Sequence, residues 1–197
     1  MNVAFFPLMS YSFVNSVTPG PNNIMLATSG VNFGFIRTMP HFFGVYLGFL
    51  IMLGIVSFGL GEIFTQVPEL QTAMKYLGSL YLLYLAYRIS QAGELSKVNV
   101  AKPLNFFQAA LFQYINPKAW VLASTIPTLF VTGKAMGYEE IAYLLLGHAL
   151  ASFPSVLLWV LAGTQLRRFL SSQRNLKIFN YTMAALLVGT VAIILLS

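Results

Sequence analysis

Residues 5–28 read FFPLMSYSFVNSVTPGPNNIMLAT, an apolar stretch that is interrupted near its middle by the segment TPGPNN at 18–23. The stretch is long enough for a membrane helix, which needs about 20 mostly apolar residues. Proline removes a backbone donor and clashes with the preceding turn, and glycine adds backbone freedom. We therefore expect a membrane helix that is broken within the bilayer.

A second apolar stretch, residues 105–131, carries a similar interruption at 115–118, which reads INPK. Backbone groups left unpaired at membrane depth are tolerated only where protein or a water-filled cavity satisfies them. Interrupted apolar segments at corresponding places in two halves of a chain indicate the central site of a transporter. The two interruptions therefore predict one shared site.

The composition requires a membrane for most of the chain. Of 197 residues, 57% are hydrophobic and 8% are charged, whereas soluble domains carry about 25% charged residues. We expect one all-α membrane transporter domain, built as two inverted three-helix repeats at about 1–92 and about 103–197, with broken first and fourth helices. The six predicted transmembrane helices are 5–28, 39–61, 70–90, 105–131, 141–164 and 176–196.

The basic residues predict the orientation. Lysine and arginine accumulate in cytoplasmic loops, and they concentrate here in the first, third and fifth predicted loops. Those loops should be cytoplasmic, which places both termini on the extracytoplasmic side. The net charge of +6 is then explained by membrane topology, with anionic lipid headgroups rather than nucleic acid as partner. The residues on the cytoplasmic side are Arg37, Arg88, Lys97, Lys102, Arg167, Arg168, Arg174 and Lys177; Lys75 and Lys134 lie on the other side.

Several residue types are missing. The chain has no cysteine, no aspartate and only two histidines, which removes most metal ligands and most partners for a catalytic triad. We expect no metal, no cofactor and no enzymatic activity. No acidic residue falls within any of the six predicted spans, so a substrate with a cationic side chain would lack a buried counter-ion. A net-neutral amino acid or related small metabolite is favoured.

The residues at the two interruptions suggest how such a substrate is held. Asparagine caps helices well and proline favours the first helical position, so a half-helix should begin after each interruption. Helix N-termini carry about half a positive charge and bind carboxylates. Lys118 adds a full charge far from either end of its span, and His148 is either a substrate or proton contact or a bond to a neighbouring helix. The predicted substrate-binding residues are Thr18, Pro19, Gly20, Pro21, Asn22, Asn23, Asn116, Pro117, Lys118 and His148.

Other polar and small residues have less specific interpretations. His41 is expected near the cytoplasmic membrane surface. Gln108 or Gln113 could face the site, and the sequence does not decide between them. Gly44 and Gly48 form a small-xxx-small pair that predicts close helix packing. The two tryptophans, Trp120 and Trp159, are expected at interfaces and in packing.

The motifs Thr18-Pro-Gly-Pro-Asn22 and Asn116-Pro-Lys-Ala119 resemble those of the LysE/RhtB family of amino-acid exporters. The stretch at 34–38, GFIRT, resembles the basic loop of the family. The resemblance covers the whole chain and is greatest for members that export cysteine and O-acetylserine. It implies a secondary active exporter of the bacterial cytoplasmic (inner) membrane, driven by an ion gradient with a proton as the candidate coupling ion.

The predicted mechanism is alternating access, in which one half rocks against the other around the substrate carboxylate. The alternative is a passive channel or an ion exporter, which would give flux without saturation or flux of metal ions. The sequence leaves open whether the chain forms a homodimer and which small amino-acid-like substrate it carries.

Overall fold

The computed structural model describes residues 4–60, 66–92, 102–131, 137–170 and 172–196. The secondary structure in these ranges is helical. A π-helical turn, Val56–Leu60, extends α3, and a 3-10 turn, Gln113–Ile115, follows α5. In chain order the helices are α1 (Phe5–Val17), α2 (Pro21–Phe33), α3 (Phe35–Ile55), α4 (Pro68–Ser90), α5 (Phe106–Phe112), α6 (Pro117–Phe130), α7 (Tyr138–Phe169) and α8 (Gln173–Leu196).

Three of the described helical segments are long and apolar enough to cross a membrane: Phe35–Gly59, Tyr138–Phe169 and Gln173–Leu196. They correspond to the second, fifth and sixth predicted spans, and they confirm an all-α membrane protein. The third predicted span coincides with α4. That helix has 23 residues but is less apolar, because it contains Lys75 and Arg88 as well as Glu69.

The first and fourth predicted spans are each interrupted, as expected. The helices α1 and α2 have 13 residues each, so each is about 20 Å long at 1.5 Å per residue. Neither half alone crosses a hydrocarbon core of about 30 Å. The interruptions fall at 18–20 and at Asn116.

Each interrupted helix packs against a helix from the other half of the chain. The pair α1 and α2 lies along α7, α5 lies along α3, and α4 packs on α8. The predicted close packing at the small-residue pair is confirmed, since a Cβ on Gly48 would lie 2.6 Å from Ala110 Cα, and one on Gly44 would meet the Phe106 carbonyl. Glycine does the same on α7, where a Cβ on Gly163 would meet the Ala27 carbonyl.

Parts of four predicted loops lie outside the described residues, at 61–65, 93–101, 132–136 and 171. Lys97 and Lys134, which contributed to the predicted orientation, fall within these ranges. The sidedness of the termini therefore stays a prediction.

Candidate functional site

The first interruption is held open by side-chain hydrogen bonds to the end of α1. Thr18 Oγ1 donates to the Val14 carbonyl at 2.8 Å. Asn23 Nδ2 donates to the carbonyls of Ser16 at 2.7 Å and Thr18 at 2.8 Å. Carbonyls at a helix C-terminus have no partner within the helix. Asn23 is buried and serves mainly to satisfy these carbonyls.

The N-terminus of α2 has no side-chain cap. Gly20 is the capping residue, its backbone is extended (φ −173°, ψ 175°), and Pro21 occupies the first helical position. The Ile24 amide already bonds to the Gly20 carbonyl at 2.9 Å. The amides of Asn22 and Asn23, in the first turn, are of the kind that capping side chains or ligands satisfy.

The second interruption is built differently. Asn116 caps α6 as predicted, its side-chain oxygen accepting from the Lys118 amide at 3.2 Å, and Pro117 is the first helical residue. The Asn116 carbonyl accepts from the amides of Ala119 at 3.0 Å and Trp120 at 3.3 Å. The first amides of α6 therefore already have partners. The positive charge that remains available at this interruption is that of the Lys118 ammonium.

Lys118 connects the two interruptions. Its Nζ donates to the Thr18 carbonyl at 3.2 Å. Its side chain lies over Gly20, where an added Cβ would be 3.1 Å from Lys118 Cδ and 3.2 Å from Nζ. The ammonium therefore lies beside the N-terminus of α2 and does not extend along its own helix toward the membrane surface.

Asn22 and Gln113 form a second connection. Asn22 Nδ2 donates to Gln113 Oε1 at 2.8 Å, and Gln113 Nε2 donates to Asn22 Oδ1 at 3.2 Å. Gln113 also donates to the Ala109 carbonyl at 2.8 Å and is fully buried. Of the two glutamines considered from sequence, Gln113 is the one at the interruption, whereas Gln108 caps α5 with Asn105.

Both tryptophans of the chain bond to carbonyls next to an interruption, which sequence reasoning missed. Trp159 Nε1 donates to the Val17 carbonyl at 3.1 Å, and Trp120 Nε1 donates to the Tyr114 carbonyl at 2.8 Å. Each indole thus supplies a donor to a carbonyl that the broken helix leaves unpaired. The only sequence signal was that the chain has two tryptophans and two interruptions.

A cavity of about 60 Å³ lies where the two interruptions meet; we call it the central cavity. Pockets for small ligands typically measure about 300–1,000 Å³, so the central cavity is small in this structure. Seven predicted site residues line it. They are Gly20, Pro21, Asn22, Asn23, Asn116, Lys118 and His148.

The other predicted residues surround the central cavity without lining it. Thr18 contributes through its carbonyl, which accepts from both Lys118 and Asn23, whereas Pro19 and Pro117 shape the backbone. Sequence reasoning missed Asn15 and Ser16, which line the cavity from the end of α1. Their polarity within an apolar span was the available signal.

His148 bonds to a neighbouring helix, which was one of the two sequence interpretations. Its Nδ1 is 3.1 Å from Ser12 Oγ on α1, which makes it a bond between helices, and its ring centroid is 4.7 Å from that of Phe49. It also lines the central cavity. The residues that the structure describes contain no cluster of three or more histidine or acidic side chains suited to a metal ion.

Known proteins resemble the chain over most of its length. The family model described as LysE type translocator matches residues 13–197. The chain is similar to proteins named cysteine/O-acetylserine efflux protein, with 28% identity over 183 residues to that of Escherichia coli (strain K12) and 28% over 186 residues to that of Klebsiella pneumoniae subsp. pneumoniae; each alignment covers 91% of both chains. No solved structure matches.

Proposed function

Because the chain belongs to the LysE type translocator family, we propose that it exports a net-neutral amino acid or closely related metabolite by alternating access around the central cavity. Membership makes it a membrane transporter of the amino-acid export type and not an enzyme. Exporters of this family are multi-pass inner-membrane proteins, and the apolar helices described above fit that location.

The observation that carries the proposal is the position of Lys118. Its ammonium lies at the central cavity, beside the N-terminus of α2 and in contact with the opposite interruption. None of the described residues that line this cavity is acidic, so no described side chain cancels the positive charge within it. A buried charge at membrane depth is costly and tends to be functional. The substrate carboxylate is the group that this arrangement suits.

The two interruptions contribute unequally to that carboxylate site. At α2 the contribution is the pair of first-turn amides, which have no side-chain cap. At α6 it is the lysine side chain, because Asn116 already bonds the first amides. A carboxylate between them would accept hydrogen bonds from both helices, and charge-assisted hydrogen bonds are the stronger kind.

The names of the relatives indicate which substrates should be tested first. Proteins 28% identical to this chain are named for efflux of cysteine and O-acetylserine, both of which are small and net neutral. The described lining of the central cavity contains no acidic side chain, which disfavours lysine or arginine as substrate. Cysteine and O-acetylserine are therefore the first two probes, ahead of other neutral amino acids.

The packing pattern supports two inverted repeats. In each half the interrupted helix lies against the middle helix of the other half, and the two last helices, α4 and α8, pack on each other. A pseudo-two-fold axis in the membrane plane relates such contacts in pairs. With the predicted orientation, both termini are extracytoplasmic, α2 runs toward the cytoplasm and α6 runs away from it.

The function is tested by counterflow in proteoliposomes loaded with radiolabelled cysteine, O-acetylserine and a panel of neutral amino acids. Lys118→Ala and Asn116→Ala should insert normally and lose transport by a factor of about 10 to 100, since hydrogen bonds to charged groups contribute about 1.5–3 kcal/mol. Lys75→Ala, a lysine on α4 outside the central cavity, is the matched control and should transport normally.

Three results would count against the proposal. Wild-type flux through both variants at equal abundance would refute the site. Flux that does not saturate with concentration would favour a passive channel. Finally, the proton would be excluded as coupling ion if counterflow and net export were both unchanged after the pH gradient is collapsed.

A further inference from the structure

A second and larger cavity, about 390 Å³, lies between the C-terminal halves of α2 and α4 and the start of α5. In the orientation proposed above these ends face the cytoplasm, so we call it the cytoplasmic cavity. It shares no lining residue with the central cavity. Nothing in the family assignment gives it a role.

We propose that the cytoplasmic cavity is an entry site, which binds the substrate carboxylate before the substrate reaches the central cavity. This inference rests on the proposed function. The ligand class is the same, a small zwitterionic amino acid or its derivative, but the residues are different.

The charge of the lining is the first argument. Arg88 and Lys102 line the cavity, and none of the described residues that line it is acidic. The Arg88 guanidinium is held in place because its Nη1 donates to Tyr84 Oη at 2.8 Å, and its central carbon lies 5.8 Å from the Tyr84 ring centroid. A guanidinium has five N–H donors, so donors remain for a carboxylate.

His41 is the second argument. Sequence analysis placed it near the membrane surface, but it is only 2% exposed and is buried within the protein, where it lines the cytoplasmic cavity. Neither of its ring nitrogens has a hydrogen-bond partner among the described residues. Buried polar groups without partners are rare in native proteins and call for an explanation. A ligand with its own polar group would supply the missing partner.

The nearby polar groups, in contrast, are already bonded. Ser29 and Thr38 hydroxyls are 2.9 Å apart, and Asn32 and Asn180 exchange side-chain bonds at 2.9 and 3.2 Å. Of the described side chains that line the cavity and are both polar and buried, His41 is the one without a hydrogen-bond partner. The apolar surfaces of Met25, Leu85 and Leu104 complete the lining.

The volume is the third argument. Pockets for small ligands typically measure about 300–1,000 Å³. The cytoplasmic cavity, at about 390 Å³, falls in this range, whereas the central cavity, at about 60 Å³, is smaller. A substrate arriving from the cytoplasm would therefore meet the roomier cavity first.

The Asn22–Gln113 pair lies between the two cavities. On α2, Asn22 lines the central cavity and Met25, in the next turn, lines the cytoplasmic cavity. On the other helix, Gln108 lines the cytoplasmic cavity and Gln113 bonds to Asn22. The proposed entry site therefore predicts that substrate passing from one cavity to the other moves close to this amide pair.

The test compares transport from the two membrane faces. Uptake of radiolabelled cysteine, O-acetylserine and the neutral amino acids is measured in everted vesicles, whose cytoplasmic face is outward, and in right-side-out vesicles. Arg88→Gln with Lys102→Gln should raise the KM from the cytoplasmic face about tenfold, as expected for a lost charge-assisted contact, with the opposite-face KM and the maximal rate unchanged. His41→Phe, which keeps an aromatic ring without its nitrogens, should raise the same KM.

The matched control is Arg168→Gln with Arg174→Gln, which removes two exposed charges outside the cavity and should leave both KM values unchanged. An equal rise in the control, or an unchanged cytoplasmic KM in the Arg88 and Lys102 variant, would overturn the entry site. If Lys118→Ala still abolishes flux in that case, the proposed function survives. No saturable flux of any probe in the wild type would overturn both.

The headgroup of an anionic lipid is the competing occupant. Purified protein is therefore also assayed in liposomes made only of net-neutral lipids. An entry site for substrate predicts that the tenfold rise in KM persists there. Loss of the effect in the absence of anionic lipid would assign the cavity to a lipid headgroup and overturn the proposal.

Discussion

Replacement of Gly20 by alanine should weaken substrate binding without disturbing the fold. Gly20 has an extended backbone (φ −173°, ψ 175°) that alanine adopts freely, so no backbone strain is expected. The added methyl group would instead meet Lys118, at 3.1 Å from Cδ and 3.2 Å from Nζ. The mutation therefore displaces the lysine side chain and little else.

The size of the effect follows from these distances. Carbon atoms in contact lie about 3.5–4.0 Å apart, so the lysine must move by about 0.5 Å. The bond from Nζ to the Thr18 carbonyl is 3.2 Å, and a retreat of that size lengthens it to about 3.7 Å, beyond hydrogen-bond range. Hydrogen bonds to charged groups contribute about 1.5–3 kcal/mol. Because the lysine is flexible, we expect the lower value, which is about a tenfold rise in KM.

The assay is counterflow of the best substrate as a function of its concentration, with thermal unfolding in detergent as the check on folding. Gly189→Ala is the control, since a Cβ there meets nothing within 4 Å, and it should keep the wild-type KM. The unfolding temperature of Gly20→Ala should fall by only about 3–6 °C, as expected for the loss of about 1.5 kcal/mol. A wild-type KM in Gly20→Ala would show that Lys118 does not position the substrate, and the reasoning would fail.

Three further predictions concern the interruptions themselves. Asn22→Leu should lower stability by about 1–3 kcal/mol, because it leaves the buried Gln113 amide without its partner, and the double variant with Gln113→Leu should recover part of the loss in thermal unfolding; a deeper loss in the double variant would contradict the pairing. Gly78→Ala should sharply reduce the yield of folded protein in size-exclusion chromatography, because its Cβ would overlap the Ile115 carbonyl; normal yield would show that α4 does not pack on the second interruption. Trp159→Phe should lower the free energy of unfolding by about 1–3 kcal/mol, because a carbonyl at the end of α1 loses its donor; an unchanged unfolding curve in denaturant would rule this bond out.

The interruptions were predictable because their cause is local. Proline cannot continue a helix, and Asn116 followed by Pro117 has the residue preferences of a helix start. The structure has both features at those positions. Composition likewise indicated membrane helices, because only lipid can solvate a chain that carries so few charges.

The partners across the interruptions were not predictable from one sequence. Asn22 and Gln113 are 91 positions apart, and periodicity within a segment carries no information about contacts between distant segments. The burial of His41 was not predicted for the same reason. A histidine near a span end usually reaches the membrane surface, but here the neighbouring helices enclose it. The larger cavity beside it arises from helix packing and has no local signature.

The glycine contacts of α3 and α7 restrict which parts of the molecule can move. Gly48 brings α3 against the backbone of α5, and Gly163 does the same for α7 and α2, so each interrupted helix is closely packed on a helix from the other half. In the proposed alternating access we therefore expect the moving bodies to be these two crossed pairs, each drawn from both halves of the chain, in place of the two halves that the sequence predicted. The contacts at Lys118 and at the Asn22 amide lie where those crossed pairs meet. Spin labels placed within one pair should therefore keep a fixed separation throughout a transport cycle, while labels on different pairs should not.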